Sequence, residues 1–166
     1  MNKMRSIEIE KIVLGVGGTE DKLEKSAKLI EILTGRKAAK MQTNKRIPSL
    51  SVRPKLNVGA IITIRKKSEF EPLLKRLFVA IDNKLRKKQV SENTFSFGLK
   101  EYIEIPGVEF QREIGITGFD VTITFKRAGK RIQLRRIKKS RLPLNQRISK
   151  EEIIKFMEDN FQVRFV

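Results

Sequence analysis

The sequence predicts an α+β fold: a mostly antiparallel sheet with helices packed on one face, a long basic loop and a basic C-terminal extension. Three observations predict it. Apolar and polar residues alternate, as in half-buried strands, most clearly at Phe95, Phe97, Leu99 and at Phe119, Val121, Ile123, Phe125. Other segments space their apolar residues helically, two of them after a Ser-x-x-Glu start. Two stretches, 36–67 and 126–147, carry ten basic residues each and no acid, on a chain of formal net charge +18. The remaining 17 basic and 19 acidic residues come to −2, so the charge is concentrated rather than spread.

The elements follow in order. Residues 7–16 (IEIEKIVLGV) alternate and then become continuously apolar, predicting a strand whose second half is buried, broken by Gly15, Gly17 and Gly18. Thr19 is placed to cap a helix, with Glu20 and Asp21 at its positive end. Leu23, Ala27, Ile30 and Leu33 share one face of that helix, and Gly35 suits its left-handed terminus. A short strand is expected over 39–43, then a long exposed loop with Pro48 and Pro54, then a strand over 58–65. Ser68 and Glu71 form a capping box ahead of Phe70, Leu74, Leu77, Ile81 and Leu85, although Pro72 lies awkwardly inside the first turns. The two alternating phenylalanine segments predict two more strands, with Gly115 and Gly118 marking the loop between them. Ser149 and Glu152 open a final helix over 149–161. The 166 residues are expected to form a single domain, 1–166.

Composition excludes several chemistries. Without cysteine or histidine there is no thiolate nucleophile, no sulfur-ligated metal and no imidazole base. No cofactor is expected. No apolar run reaches the ~18–20 residues of a membrane span, and MNKMRSIEIE lacks the apolar region of a secretory leader, so a soluble, intracellular chain with no membrane partner is expected. What remains is a surface built for a polyanion, with nucleic acid the leading candidate. In the first block the cations Arg36, Lys37, Lys40, Lys45, Arg46, Arg53, Lys55 and Arg65 suit phosphates, and Gln42, Thr43 and Asn44 suit bases or riboses. In the second, Lys130, Arg131, Arg135, Arg136, Lys138, Lys139 and Arg141 form a basic arm, and Ile132, Leu134, Ile137, Leu142 and Leu144 would dock it in part.

Other motifs have blander readings. LGVGGTE could cradle a phosphate, but no Lys-Ser/Thr follows and its glycines miss the dinucleotide spacing, so a tight turn is the better reading. The phenylalanines could stack on bases, yet their strict alternation favours core packing. Glu101, Glu104, Glu109, Glu113 and Asp120 could hold Mg²⁺ in a metal-dependent RNA-processing enzyme, but they lack a ligand spacing and read as solvent-face charges. A non-specific basic nucleic-acid-binding protein is the further alternative.

Six pieces in order carry a resemblance: KIVLGVGGTEDKLEKSAKLIEILTGRK, SVRP, AIITIRK, FSFGLKEYIEIPG, REIGITGFDVTITFKRAGKRI and NQRISKEEIIKFMEDNF. Together they resemble the universal ribosomal protein L-five family of the large subunit, in its archaeal and eukaryotic branch (L-eleven in eukaryotes). Three positions depart from that pattern: Gly15 stands where the family has Asn, Gln146 where it has His, and Ala128 where it has Pro. The resemblance implies a non-enzymatic structural protein of the cytoplasmic large subunit. It implies binding to 5S rRNA and a place in the central protuberance beside the L-eighteen family. It also implies that the loop 44–57 reaches the peptidyl-site tRNA, that Lys40, Gln42 and neighbouring strand residues face 5S rRNA, and that the tail meets large-subunit rRNA or a neighbouring protein. No homo-oligomer is expected.

Overall fold

The computed structural model describes residues 3–166. Met1, Asn2 and the side chain of Glu20, to which leader and dipole expectations were attached, lie outside the described residues. Six strands form one antiparallel sheet: β1 (Ile7–Gly17), β2 (Ala39–Gln42), β3 (Asn57–Ile64), β5 (Val90–Ser91), β6 (Thr94–Leu99) and β7 (Phe119–Arg127). A two-residue strand β4 (Lys84–Leu85) pairs in parallel with β8 (Arg164–Phe165). The helices are α1 (Glu20–Thr34), α2 (Lys67–Val79), the single turn α3 (Arg131–Leu134) and α4 (Lys150–Phe161). The main sheet runs β2-β3-β1-β7-β6-β5, so the first strand is central.

Register explains the layering. Ile12, Leu14 and Val16 pair with Ile64, Ile62 and Ala60 of β3; Ile12 and Leu14 also pair with Ile123 and Val121 of β7, which pair in turn with Phe95 and Phe97 of β6. All of these lie on one face, and all are buried. The helices cover this face. α2 contributes Phe70, Leu73, Leu74, Leu77 and Phe78, and α4 contributes Ile153 and Met157. Phe78 meets Phe97 and Phe161 at 5.5 Å between ring centres, and Phe125 meets Phe156 at 5.8 Å. The phenylalanines are thus core residues, as their alternation predicts.

Four expectations need correction. β1 does not stop at its glycines: Gly15 and Gly17 remain paired, opposite Ile61 and Gly59. Thr19 has extended geometry ahead of α1 but makes no capping hydrogen bond. The Ser68–Glu71 box does not form. With Ser68 as cap, Pro72 would fall where the first N–H must reach back to the cap carbonyl, and proline has none. The helix starts two residues earlier instead, with Lys66 at the cap position, and Phe70 N–H donates to Lys66 O at 3.1 Å. Finally, α2 ends at Val79. Asp82 and Asn83 turn the chain with φ of 53° and 55°, and Leu85 is buried from β4 rather than from a helix.

The second box is made as predicted. Ser149 accepts from Glu152 N–H, and Glu152 accepts from Ser149 N–H at 3.0 Å. The same carboxylate accepts from the Arg127 guanidinium at 2.5 Å, while Arg127 also donates to the carbonyls of Asn145 and Arg147. Arg127 is a buried charge, and this clasp ties β7 to the chain entering α4. Burial pushes the Glu152 carboxyl up, but the Ser149 N–H and the Arg127 charge outweigh it and hold the group below its ordinary value of 4.5. A lowered folded-state pKa gives stability that is complete above the unfolded value and lost as pH falls through the folded one. Glu152→Gln should therefore melt below the parent at neutral pH and converge with it in acid. Thermal melts across that range check this; a constant gap would assign the loss to packing.

Candidate nucleic-acid interface

The other face of the sheet carries no helix, and many of its positions are glycine, serine or threonine. One row across five strands reads Ala39, Ile61, Gly15, Asp120, Gly98. The next reads Thr63, Val13, Thr122, Ser96, and on the other side Met41, Gly59 and Gly17 align. Glycine inside a strand is destabilising, and it commonly marks a close approach by something else. At Gly15 and Gly17 a Cβ would meet nothing within 4 Å, and neither has a positive φ. Packing within the chain therefore does not require these glycines. They leave the backbone of the central strand open to a partner from outside.

The predicted cations border this face unequally. β2 is an edge strand whose four residues are all exposed. Lys40 pairs with Ala60, which puts it on the helix-covered side, where its ammonium lies 3.4 Å from Glu24 of α1. Gln42 lies at the end of β2 opposite Asn57. Arg36 forms an ion pair with Glu69 at 2.5 Å, and Lys37 is exposed beside it. Thr43 donates its hydroxyl proton to Lys45 O. Asn44, Lys45, Arg46, Arg53 and Lys55 are exposed, as is Arg65 after β3. Segment 43–56 is pinned at its base by Thr43 N–H to Leu56 O (3.0 Å) and Lys55 N–H to Thr43 O (2.7 Å). Its tip is closed by reciprocal bonds between Ile47 and Val52 around a short 3₁₀ turn, with Val52 buried.

In segment 128–148, Lys130 is held by Glu10 of β1. Arg131, Arg135, Arg136, Lys138, Lys139 and Arg141 are exposed. Arg135 Nε donates to Lys138 O at 2.6 Å, closing the arm on itself. The expected apolar docking is largely absent, since Leu134, Ile137 and Leu144 are 70–77% exposed. The buried Ile148 and the Arg127 clasp hold the segment instead. A cleft between β7 and this segment is lined by Lys126, Arg127, Lys130, Arg141 and Arg147, with no carboxylate in its lining. Two departures from the family pattern meet here: Gln146 Nε2 donates to Ala128 O at 3.1 Å. Among the described residues no three Asp or Glu side chains are grouped to hold a metal ion, so the five carboxylates considered for Mg²⁺ do not converge. Among those residues, too, no helix is long and apolar enough to cross a membrane.

Comparison with known proteins decides the lineage. The profile of the C-terminal part of the ribosomal L-five family matches residues 57–156. Over nearly its full length the chain is 36% identical to large ribosomal subunit protein uL5 of Nanoarchaeum equitans, covering 98% of each chain. It is 38% identical to the uL5 proteins of Picrophilus torridus and Thermoplasma acidophilum, covering 99% and 100% of this chain and 96% and 99% of theirs. The chain belongs to the uL5 family of large ribosomal subunit proteins. The family profile spans β3 to α4 and so contains both Gly98 and Asp120 and the clasp at Arg127. The full-length uL5 relatives extend the match through β1 and the segment 43–56. Sequence reasoning pointed to the cations and did not see the open face. The missed signal was the placement of Gly15, Gly17, Gly59 and Gly98 on one face, which only strand register brings together.

Proposed function

We propose that the protein is a structural, non-catalytic constituent of the cytoplasmic large ribosomal subunit, acting as one RNA-binding unit over 1–166. In this reading it binds 5S rRNA through the open sheet face and helps form the central protuberance with a partner of the L-eighteen family. The long basic loop 44–57 reaches toward the peptidyl-site tRNA, and the basic extension 126–147 meets large-subunit rRNA. The observation that carries the reading is the open face, in which glycines that packing does not require sit among Thr63, Thr94, Ser96, Thr122 and Thr124. An A-form RNA helix offers a wide, shallow minor groove lined by 2′-hydroxyls. A face rich in exposed backbone and short hydroxyl side chains fits such a groove. The bordering cations supply sequence-independent attraction, and the hydroxyls supply register.

The test is a titration against 5S rRNA, with tRNA, an unrelated structured RNA and duplex DNA as competitors, at several salt concentrations. If ~6–8 cations meet phosphates, log affinity should fall against log salt with a slope of about −4 to −7. Preference for 5S rRNA should survive the higher salt. Equal binding to all four polyanions, or a slope near zero, would overturn the reading.

A further inference from the structure

Asp120 stands out on the open face. Its cross-strand neighbours are glycine on both sides, Gly15 on β1 and Gly98 on β6. It is exposed, and its carboxylate forms no ion pair or side-chain hydrogen bond among the described residues. Glu8, another acid on this face, is matched by Lys126 at 3.7 Å. Asp120 leans over Gly98, where a Cβ would come 3.0 Å from its Oδ1. Gly98 therefore keeps the carboxylate uncrowded, and Gly15 on the other side presents no side chain to it.

An unmatched negative charge is the wrong feature for a surface that only attracts phosphate. One like charge ~8 Å from a phosphate weakens binding about two-fold through water. A carboxylate is an acceptor only, so what it can gain from RNA is hydrogen bonds from donors. In the minor groove of a paired RNA helix two such sources are accessible: the guanine N2 amino group and the ribose 2′-hydroxyl. We propose that Asp120 is a specificity-determining residue that accepts hydrogen bonds from one of these donor groups of the bound RNA. The inference rests on the open face being the RNA platform. Asp120 offsets its repulsion only where a donor sits opposite, so it penalises RNA lacking that donor and rewards RNA presenting it.

The experiment compares the full chain with Asp120→Asn and Asp120→Ala, on an archaeal 5S rRNA transcript and on an unrelated structured RNA. Asn keeps the shape and loses the charge, and both variants should melt with the parent because the side chain is exposed and makes no contact that holds the fold. Affinity for 5S rRNA should fall roughly ten-fold or more, as expected for a hydrogen bond to a charged group. Affinity for the unrelated RNA should be unchanged or rise about two-fold. Equal or tighter binding of 5S rRNA by both variants overturns the proposal while leaving the ribosomal reading intact. Failure of the parent to prefer 5S rRNA overturns both. Analogue interference then separates the sources. Inosine in place of guanosine removes the N2 donor, and 2′-deoxy nucleotides remove the hydroxyl. A position sensitive to one analogue with the parent, and insensitive with Asp120→Asn, identifies the donor. Identical interference patterns for both proteins overturn the contact.

Discussion

Replacing Lys45, Arg46 and Arg53 together with alanine is expected to weaken 5S rRNA binding roughly 50- to 150-fold near 0.15 M salt, without lowering the melting temperature. Each phosphate contact contributes about 0.7–0.9 to the slope of log affinity against log salt, so three contacts amount to about two log units at that concentration. These three side chains are suited to the test because they are exposed and none has an acidic partner among the described residues. Arg36 and Lys40 are poorer choices, since their pairs with Glu69 and Glu24 would also be broken. The base of the loop is held by backbone bonds at Thr43, Lys55 and Leu56, which the substitutions leave in place. Binding isotherms at four or five salt concentrations give both affinity and slope. An affinity loss with an unchanged slope would mean that these cations do not meet phosphate.

Gly118→Ala is expected to cost about 3 kcal/mol or more, because overpacking against backbone has no flexible neighbour to yield. A Cβ at Gly118 would stand 2.3 Å from the carbonyl oxygen of Leu99 and 2.5 Å from that of Lys100. Neither carbonyl can retreat without opening the Leu99–Phe119 pair that ends the β6–β7 ladder. For a chain of this size that corresponds to a drop of roughly 10 °C in melting temperature. Gly115→Ala is the contrast. Its Cβ would meet open space, and only its φ of +71° resists, so the cost should be nearer ~1 kcal/mol. Melting curves of the two variants check both figures. Equal, small losses would show that the chain around Gly118 is looser than this geometry.

How much was legible in the sequence depended on whether the signal was local. The phenylalanine strands, the α4 capping box and the Gly35 terminus of α1 were readable, because alternation, a Ser-x-x-Glu spacing and a left-handed glycine each act within a few residues. The start of α2 misled because two local rules conflicted, and the missing N–H of Pro72 prevailed over the hydroxyl of Ser68. Its end misled because Asp82 and Asn83 turn the chain without glycine or proline, so the apolar period ran on to Leu85. The pairing of β4 with β8 joins positions some 80 residues apart, as Lys84 opposite Arg164 shows, and no local pattern announces it. The candidate site divided in the same way. Charge blocks are compositional and were visible, but a face assembled from Gly15, Gly59, Gly98 and Asp120 exists only after four strands are in register.

The central position of β1 also has a consequence in time. Ile12 emerges early from the machinery that makes the chain, yet its partner Ile64 follows some 50 residues later and Ile123 some 110 residues later. At ~5–20 residues per second, one edge of the central strand waits roughly 5–20 s for its last neighbour. Throughout that interval IVLGV is an unpaired β edge in a crowded cell, a template for mispairing with any strand nearby. The glycines that serve the finished surface also weaken this strand's own β propensity while it waits. The nascent chain is therefore open to mispairing until β7 arrives, and a holding chaperone would be most useful before then.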